Sequence, residues 1–267
     1  MLKRAGLQAL GVTAVNILLL LSLTACGGMI PQGDAGNPPI DIDYALLNME
    51  IAVISNAQGS YLPADKYLEF ADSEYLDDSV FSANVAVIST SAKMIDVGSG
   101  VKLKIYGAQN DTTAEAKLCG ISSNAALGDF VNGKRNLVEG RMFEAKNECI
   151  ISKKLADSNK LLVGDELVFE NTTLGANGEK IEYRLTIVGI FSDETKEYDS
   201  GYKVPYLNRR NEVFTDISTV MDAENAANGA GVMMVAQYYL KDGVQLSDFE
   251  KEVRDKGLPS GFSVRKK

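Results

Sequence analysis

The sequence predicts an α+β fold preceded by one N-terminal transmembrane or signal helix. Three observations indicate this fold. A long apolar run lies near the N-terminus, short segments of alternating apolar residues recur along the rest, and few segments have helical spacing. We expect the N-terminal segment over residues 1–30, a linker over 31–40 and the folded domain over 41–267.

The N-terminal segment has a positive start, Lys3-Arg4, followed by an uncharged run over residues 5–33. About 20 apolar residues span the hydrocarbon core, and the basic end stays inside, so the run predicts a transmembrane helix. Leu23-Thr24-Ala25-Cys26 also resembles a bacterial lipobox, in which Cys26 would be lipidated. Either alternative predicts a protein of the cell membrane with residues 34–267 extracytoplasmic.

In the first half of the domain, Pro63 starts a predicted helix over 63–71 whose apolar face holds Tyr67, Leu68 and Ala71. Alternation of apolar and polar residues predicts half-buried strands. The expected strands are 48–55, 80–89, 101–106 and 118–122, and a compact turn is expected over 138–143.

In the second half, clean alternation from Ile181 to Ile187 predicts a hairpin of strands 167–170 and 181–191 around the loop 175–178. Ser247 and Glu250 form a predicted capping box, and Gly257 is placed to end that helix. The other expected elements are a helix over 153–160 and strands over 149–151, 232–240 and 262–264.

Composition excludes several functions. The chain has no histidine, which removes Ser-His-Asp and Cys-His catalysis and histidine metal centres. A net charge of −9 repels phosphate backbones, so nucleic acid is not an expected partner. Cys119 and Cys149 are expected to be buried thiols, with a disulfide as the alternative. We therefore predict no enzyme, and no catalytic, cofactor-binding or metal-binding residues.

Three polar motifs have an ordinary and a functional interpretation. Residues 128–134 fit the start of a P-loop, but Arg135 stands where Ser or Thr must hold Mg²⁺, so a basic loop is favoured. Arg209 and Arg210 could bind the carboxylates of a partner, although a turn with local salt bridges is the simpler interpretation. Four acidic residues could bind Ca²⁺ but lack calcium-loop spacing, which favours a solvated loop: Asp193, Glu194, Glu197 and Asp199.

Five short motifs follow one another in order: VEGRMF at 138–143, CIIS at 149–152, KLA at 154–156, LVGDEL at 162–167 and LTIVGIF at 185–191. This ordered set resembles the periplasmic core domain of MacB-type ABC transporter permeases, in the FtsX/MacB-type family. The resemblance implies structural roles at turns and bends for Gly140, Arg141, Gly164, Asp165 and Gly189.

The resemblance also implies a porter-like mixed α/β part with a small β-rich subdomain inserted into it at about 108–200. The function that it implies is that of the extracytoplasmic domain of an ABC permease that works with a cytosolic ATPase. The expected partners are the membrane, that ATPase, other permease segments, and a peptide, lipid or protein cargo. Family members continue into three more transmembrane helices, and this sequence holds no second long apolar run. The chain is therefore expected to be part of a permease or, alternatively, a stand-alone surface lipoprotein used for binding or scaffolding.

Overall fold

The computed structural model describes residues 46, 49–57, 61–98, 113–175, 177–199, 201–226 and 232–267. The predicted N-terminal helix, Cys26, the linker and the strand at 101–106 lie outside these residues. Within the described part of the chain, no helix is long and apolar enough to cross a membrane.

The described residues form ten strands and five α-helices. The strands are β1 (Ile51–Asn56), β2 (Leu76–Ser89), β3 (Ala116–Ile121), β4 (Arg135–Gly140), β5 (Glu148–Ser152), β6 (Glu166–Leu174), β7 (Lys180–Asp193), β8 (Glu212–Asp216), β9 (Val232–Leu240) and β10 (Phe262–Lys266). The helices are α1 (Ala64–Ala71), α2 (Gly128–Val131), α3 (Lys153–Asn159), α4 (Ile217–Ala226) and α5 (Leu246–Asp255).

Four antiparallel strands form an open sheet in the order β10-β1-β9-β2. Helices α1 and α5 contribute to the hydrophobic core on one face of this sheet. Tyr67 and Phe70 of α1 and Phe249 of α5 are buried with Tyr238 of β9, whose hydroxyl donates to the carbonyl of Tyr67 at 2.9 Å. This layer corresponds to the mixed α/β part that the sequence predicts.

Six strands form a closed ring, because hydrogen bonding runs β2-β3-β8-β5-β7-β6 and returns to β2. The β3–β8 and β5–β7 pairs are parallel and the other four are antiparallel. Every strand of the ring sends apolar side chains into one core, for example Val85, Leu118, Ile151, Phe169 and Val213. Closure satisfies the strand edges that an open sheet leaves unpaired.

Strand β2 belongs to both sheets. Its residues from Leu76 to Val85 pair with β9, and those from Val87 to Ser89 pair with β6. Helix α4 joins the two parts a second time, because its Ile217 and Met221 pack against both the ring core and the open-sheet core. The β-rich part is therefore continuous with the open sheet, and it uses β2 and β8, outside the bounds 108–200.

Two helix predictions need correction. In α1 the buried side chains are Ala64, Tyr67 and Phe70, and Leu68 is exposed, so the predicted apolar face is wrong at that position. Helix α5 begins at Leu246 with Gln245 as its N-cap and no side-chain cap, so the capping box at Ser247 is also wrong. Gly257, at φ 93°, ends this helix as predicted.

The hairpin of β6 and β7 is confirmed, as are the strand at 232–240 and the helix at 153–160. The compact turn at 138–143 is wrong, because β4 continues to Gly140 alongside β7. Strand β8 and helix α4 were not predicted from the sequence. Four of the five β8 residues are buried, so β8 lacks the alternation that marks a half-solvated strand.

The closed ring makes a stability prediction. Leu118 is fully buried in the ring core, whereas Leu162 is 62% exposed. We expect Leu118→Ala to lower the free energy of unfolding by about 2–5 kcal/mol, because it leaves a cavity in a close-packed interior. Urea unfolding of the full chain in lipid nanodiscs, followed by circular dichroism, measures the change. The matched control Leu162→Ala should cost less than about 0.5 kcal/mol; equal losses would contradict the ring core.

Candidate functional site

A buried guanidinium lies where β4, β7 and β8 come together. The side chain of Arg135 is 2% exposed. Its Nε donates to Asp193 Oδ2 at 3.0 Å, and its Nη2 donates to Glu212 Oε2 at 2.7 Å. Because an unpaired charge in this position would be very costly, these two carboxylates hold Arg135 in one orientation.

Strand register creates these ion pairs. Arg135 lies directly opposite Asp193 on the antiparallel β4–β7 pair. Lys117 lies opposite Glu212 on the parallel β3–β8 pair, and its Nζ is 3.0 Å from Glu212 Oε1. Directly opposed residues on one sheet face are close enough for side-chain pairing. Glu212 therefore links Lys117 to Arg135.

Aromatic rings surround the Arg135 guanidinium. Its central carbon lies 5.4 Å from the centroid of the Phe191 ring and 5.2 Å from that of Phe214. Phe130 of α2 packs edge-on against both rings, with centroid separations of 5.1 and 5.7 Å. These rings pack around the guanidinium and add cation–π attraction.

The environment sets the protonation of two members of the network. Burial disfavours the ionised form of Asp193, but hydrogen bonds from Thr195 and the charges of Arg135 and Arg210 outweigh it and lower its pKa. Burial likewise disfavours the charged form of Lys117, but its surroundings, which include the Glu212 carboxylate, keep its pKa above the ordinary value. Both groups are therefore charged at neutral pH.

A polar cleft of about 210 Å³ opens above this network. The outward faces of β2, β3 and β8 form its floor, and α2 and the turn around Arg209 form its walls. Arg209 is hydrogen-bonded to Asp129 of α2, which joins the two walls. The polar side chains along the cleft are Ser82, Asn84, Lys117, Asp129, Arg135, Arg209 and Glu212.

A second cavity, of about 410 Å³, lies at the ends of β1 and β9 beside α1. Val53, Tyr61, Tyr67 and Val235 give it a mainly apolar lining. The Lys267 ammonium donates to Gln237 Oε1 at 2.6 Å at its margin. This cavity has the lining of an apolar binding pocket, but it lacks the convergent charges of the polar cleft.

Arg209 and Arg210, the predicted partner contacts, are both bonded within the domain. The Arg210 side chain is 10% exposed and lies 2.6 Å from Asp193 Oδ2. It also donates to the carbonyl of Thr195 at 2.5 Å. The partner contact stays a prediction, and the geometry gives Arg210 an internal role. Arg209 is 17% exposed and reaches the wall of the polar cleft.

The acidic cluster after β7 does not converge on one point. Asp193 faces two arginines, Glu197 pairs with Lys154, and Asp199 lies 3.7 Å from Arg209. Within the described residues, no group of acidic, cysteine or histidine side chains has the geometry of a metal site. The P-loop-like segment forms the single turn α2 and then leads into β4, where Arg135 points into the ion network.

The family-motif glycines meet across two strands. Gly140 of β4 lies opposite Gly189 of β7. Gly140 has φ 73°, and a Cβ there would stand 2.1 Å from the Val188 carbonyl oxygen. A Cβ on Gly189 would stand 2.3 Å from the Arg141 carbonyl oxygen. Only glycine fits this close approach of the two backbones.

Two further motif residues close local turns. The Arg141 guanidinium is hydrogen-bonded to both carboxylate oxygens of Glu148 at 2.8 and 2.5 Å, across the turn between β4 and β5. The Asp165 carboxylate accepts from the Leu162 amide at 2.8 Å, and the Gly164 amide donates to the Ile187 carbonyl at 2.7 Å. In these contacts, Arg141, Gly164 and Asp165 hold local turns in place.

Both described cysteines are buried free thiols. Cys119 belongs to the cluster around Phe214 on the outside of the ring, whereas Cys149 lies in the ring core. Because the two side chains are on opposite faces of the strands, a bond between them would need rearrangement of the sheet. Burial raises the pKa of the Cys119 thiol to about 12 and also raises that of Cys149.

Sequence reasoning missed Lys117, Arg135 and Glu212 as members of one site. Arg135 is 58 residues from Asp193 and 77 from Glu212, so no local spacing joins them. The sequence shows only that Lys117, Arg135 and Glu212 each lie at or near the start of a strand. Charged residues are common at that position, so the pattern does not identify a buried network.

Comparison with known proteins identifies relatives in one family. The family model of the MacB-like periplasmic core domain matches residues 48–256. An uncharacterised ABC transporter permease of Bacillus subtilis strain 168, YclI, is 27% identical over 145 residues, which is 53% of this chain and 29% of that protein. The chain thus matches less than a third of the length of this curated relative.

Three solved structures resemble the chain at low sequence identity. The periplasmic region of MacB from Actinobacillus actinomycetemcomitans has a TM-score of 0.46 at 12% identity, over 81% of this chain and 88% of that one. A domain of a Porphyromonas gingivalis permease protein has a TM-score of 0.43 at 16% identity, over 82% and 89%. The extracellular domain of the transporter YknZ from Gram-positive bacteria has a TM-score of 0.41 at 15% identity, over 81% and 98%.

The buried network makes a second stability prediction. Asp193→Asn removes the carboxylate between Arg135 and Arg210, and we expect a loss of roughly 3–5 kcal/mol of unfolding free energy because two guanidiniums lose a buried counter-charge. Urea unfolding measures this loss. Asp157→Asn is the control, because Asp157 is 64% exposed and pairs with Lys153 on the surface of α3; it should cost less than about 1 kcal/mol. Equal costs for the two variants would mean that Asp193 is not buried.

Glu148 makes a pH prediction. Its hydrogen bonds with Arg141 lower its pKa from 4.5 to about 2. A lowered pKa adds stability above the unfolded value, and that contribution is lost as pH falls through the folded value. Between about pH 4.5 and 2, the unfolding free energy should therefore fall less steeply in Glu148→Gln than in the wild type. Urea titrations at fixed pH test this; an unchanged slope would argue against the pairing, and Glu166→Gln on the exposed surface of β6 is the control.

Proposed function

This chain belongs to the MacB-like periplasmic core domain family, and from that premise we propose that it is the extracytoplasmic domain of a bacterial ABC transporter permease. It couples ATP hydrolysis by a cytosolic ATPase to export, or to a partner outside the membrane, by a change of orientation. The observation that carries the proposal is the family match over most of the described domain. The similarity to YclI, an uncharacterised ABC transporter permease, supports the same role.

The architecture suits a domain that transmits a displacement from the open sheet to the ring. Strand β2 runs from the open sheet into the ring, and Ile217 and Met221 of α4 pack against both cores. A displacement applied to the open sheet would therefore reach the ring through a continuous hydrogen-bonded strand and a shared helix. Close-packed cores transmit such displacements with little internal deformation.

The sequence supports placement outside the membrane. Lys3-Arg4 and the uncharged run after them favour a basic end in the cytoplasm and residues 34–267 on the far side. We also propose that the domain is not an enzyme. The absence of histidine supports this, because it removes the usual general base of a serine or cysteine nucleophile.

A surface lipoprotein that uses the same fold for binding or scaffolding is the second candidate. The lipobox-like residues Leu23-Thr24-Ala25-Cys26 favour it. Lipidation would anchor the domain without a spanning helix, and the protein would then act without an ATPase partner.

A labelling experiment tests the location. Leu162 is 62% exposed, whereas Cys119 and Cys149 are buried with raised thiol pKa values and should not react. In intact spheroplasts, we expect a membrane-impermeant maleimide to label Leu162→Cys and to leave the matched Leu162→Ser variant unlabelled. Labelling of Leu162→Cys that occurs only after lysis would place the domain inside the cell and contradict the proposal.

A purification experiment separates the two candidates. Under the permease proposal, the full chain tagged at its C-terminus and extracted from its native membrane should carry vanadate-sensitive ATP hydrolysis, because the ATPase subunit stays bound. The lipoprotein alternative instead predicts incorporation of a labelled fatty acid that Cys26→Ser abolishes. Fatty-acid labelling without any associated ATP hydrolysis would reject the permease role and favour the lipoprotein.

A further inference from the structure

The floor of the polar cleft carries an ordered row of polar side chains. Asn84 and Cys119 are opposed on β2 and β3, as are Ser82 and Ile121. Lys117 lies on the same face of β3 as Cys119, since alternate residues of a strand share a face. Ser82 and Asn84 therefore lie in a row on the floor of the cleft, and Lys117 lies one opposed pair beyond Asn84, opposite Ala86.

The charges around the cleft do not balance. Among the described residues, the network holds four cations, Lys117, Arg135, Arg209 and Arg210, and three buried or half-buried carboxylates, Asp129, Asp193 and Glu212. Asp199 is 73% exposed and lies 3.7 Å from Arg209, so solvent screens its carboxylate and it offsets little of the positive charge. The cleft thus keeps a local positive charge within a domain that is acidic as a whole.

Hydrogen-bonding capacity is also left over. Within the described residues, the Lys117 ammonium makes one hydrogen bond, to Glu212, although an ammonium has three donors. The side chains of Ser82 and Asn84 have no hydrogen-bond partner in the same part of the chain, and both line the cleft. Cys119 is a neutral thiol at pH 7 because burial raises its pKa to about 12, so it does not repel an anion.

We propose that this cleft binds the carboxylate of a peptide-sized ligand, with Lys117 supplying the counter-charge and Asn84, on the adjacent opposed pair, supplying a neutral hydrogen bond. Glu212 holds Lys117 in place and is itself neutralised by Arg135. The cleft volume of about 210 Å³ is below the ~300 Å³ typical of drug-sized sites, so it admits one residue-sized group. The carboxylate belongs to a peptide C-terminus or to an acidic side chain. This binding does not depend on coupling to an ATPase.

The test uses the full chain in lipid nanodiscs and saturation-transfer NMR of small probes. N-acetyl-dialanine presents a terminal carboxylate, its C-terminal amide is the uncharged match, and N-acetylglutamate α-amide presents a side-chain carboxylate. We expect saturable binding of at least one acid probe, with Kd below about 10 mM, and no saturable binding of the amide. Which acid binds more tightly distinguishes the two sources of the carboxylate.

Variants locate the site. Lys117→Met keeps the aliphatic stem and leaves Glu212 paired with Arg135, so the domain should fold, and we expect acid-probe affinity to fall at least about tenfold. Asn84→Ala should weaken it by a smaller factor. The control Lys180→Met removes an exposed Lys–Glu pair on the β6–β7 hairpin and should leave affinity unchanged.

Three results would overturn the proposal. The first is the absence of saturable binding of either acid up to about 10 mM. The second is equal binding of the acid probe and its amide. The third is equal acid affinity in Lys117→Met and Lys180→Met, which would indicate adventitious association with surface lysines. Unchanged thermal unfolding of the Lys117→Met chain shows that lost binding is not lost folding.

Discussion

Strand β2 is the constraint on which the rest of the structure depends. It pairs with β9 of the open sheet along its first part and closes the ring against β6 along its last. A strand has a side-chain period of two, so its register must satisfy both cores at once: Ala83 and Val85 face the ring core, while Phe81 packs against the open-sheet core. A one-residue slip would expose both sets of apolar residues. The same strand therefore fixes the ring, the sheet and the face that forms the floor of the polar cleft.

The ion network is the second organising feature, and it depends on that register. Lys117 lies opposite Glu212 because β3 pairs with β8, and Arg135 lies opposite Asp193 because β4 pairs with β7. Buried ion pairs add little net stability, since desolvation offsets most of their attraction. Loss of one partner is nevertheless costly, because it leaves a buried charge unpaired. Among the described residues, the network has one more cation than it has buried or half-buried carboxylates, and this excess positive charge distinguishes the cleft from a purely structural core.

Much of the fold was readable from the sequence where one face of an element is solvated. The β6–β7 hairpin, β9 and helix α3 have clear periodicity because water selects the residues on their outer face. Strand β8 is buried between β3 and β5, and it carries no such pattern. The cleft was not predictable, because Lys117 and Glu212 are 95 residues apart and only the parallel β3–β8 pairing joins them. The ordered motifs indicated the family from the sequence. Two of their glycines, Gly140 and Gly189, lie opposite each other where only glycine fits.

Hydrogen exchange in increasing urea tests most directly whether the domain behaves as one body. The measurement compares ring amides in β5 and β7 with open-sheet amides in β1 and β9, using the full chain in nanodiscs. Because β2 and α4 belong to both parts, the slowest amides of the two parts should converge on one free energy of opening. Ring amides that stay protected at a urea concentration where the open-sheet amides exchange freely would contradict the shared-strand account.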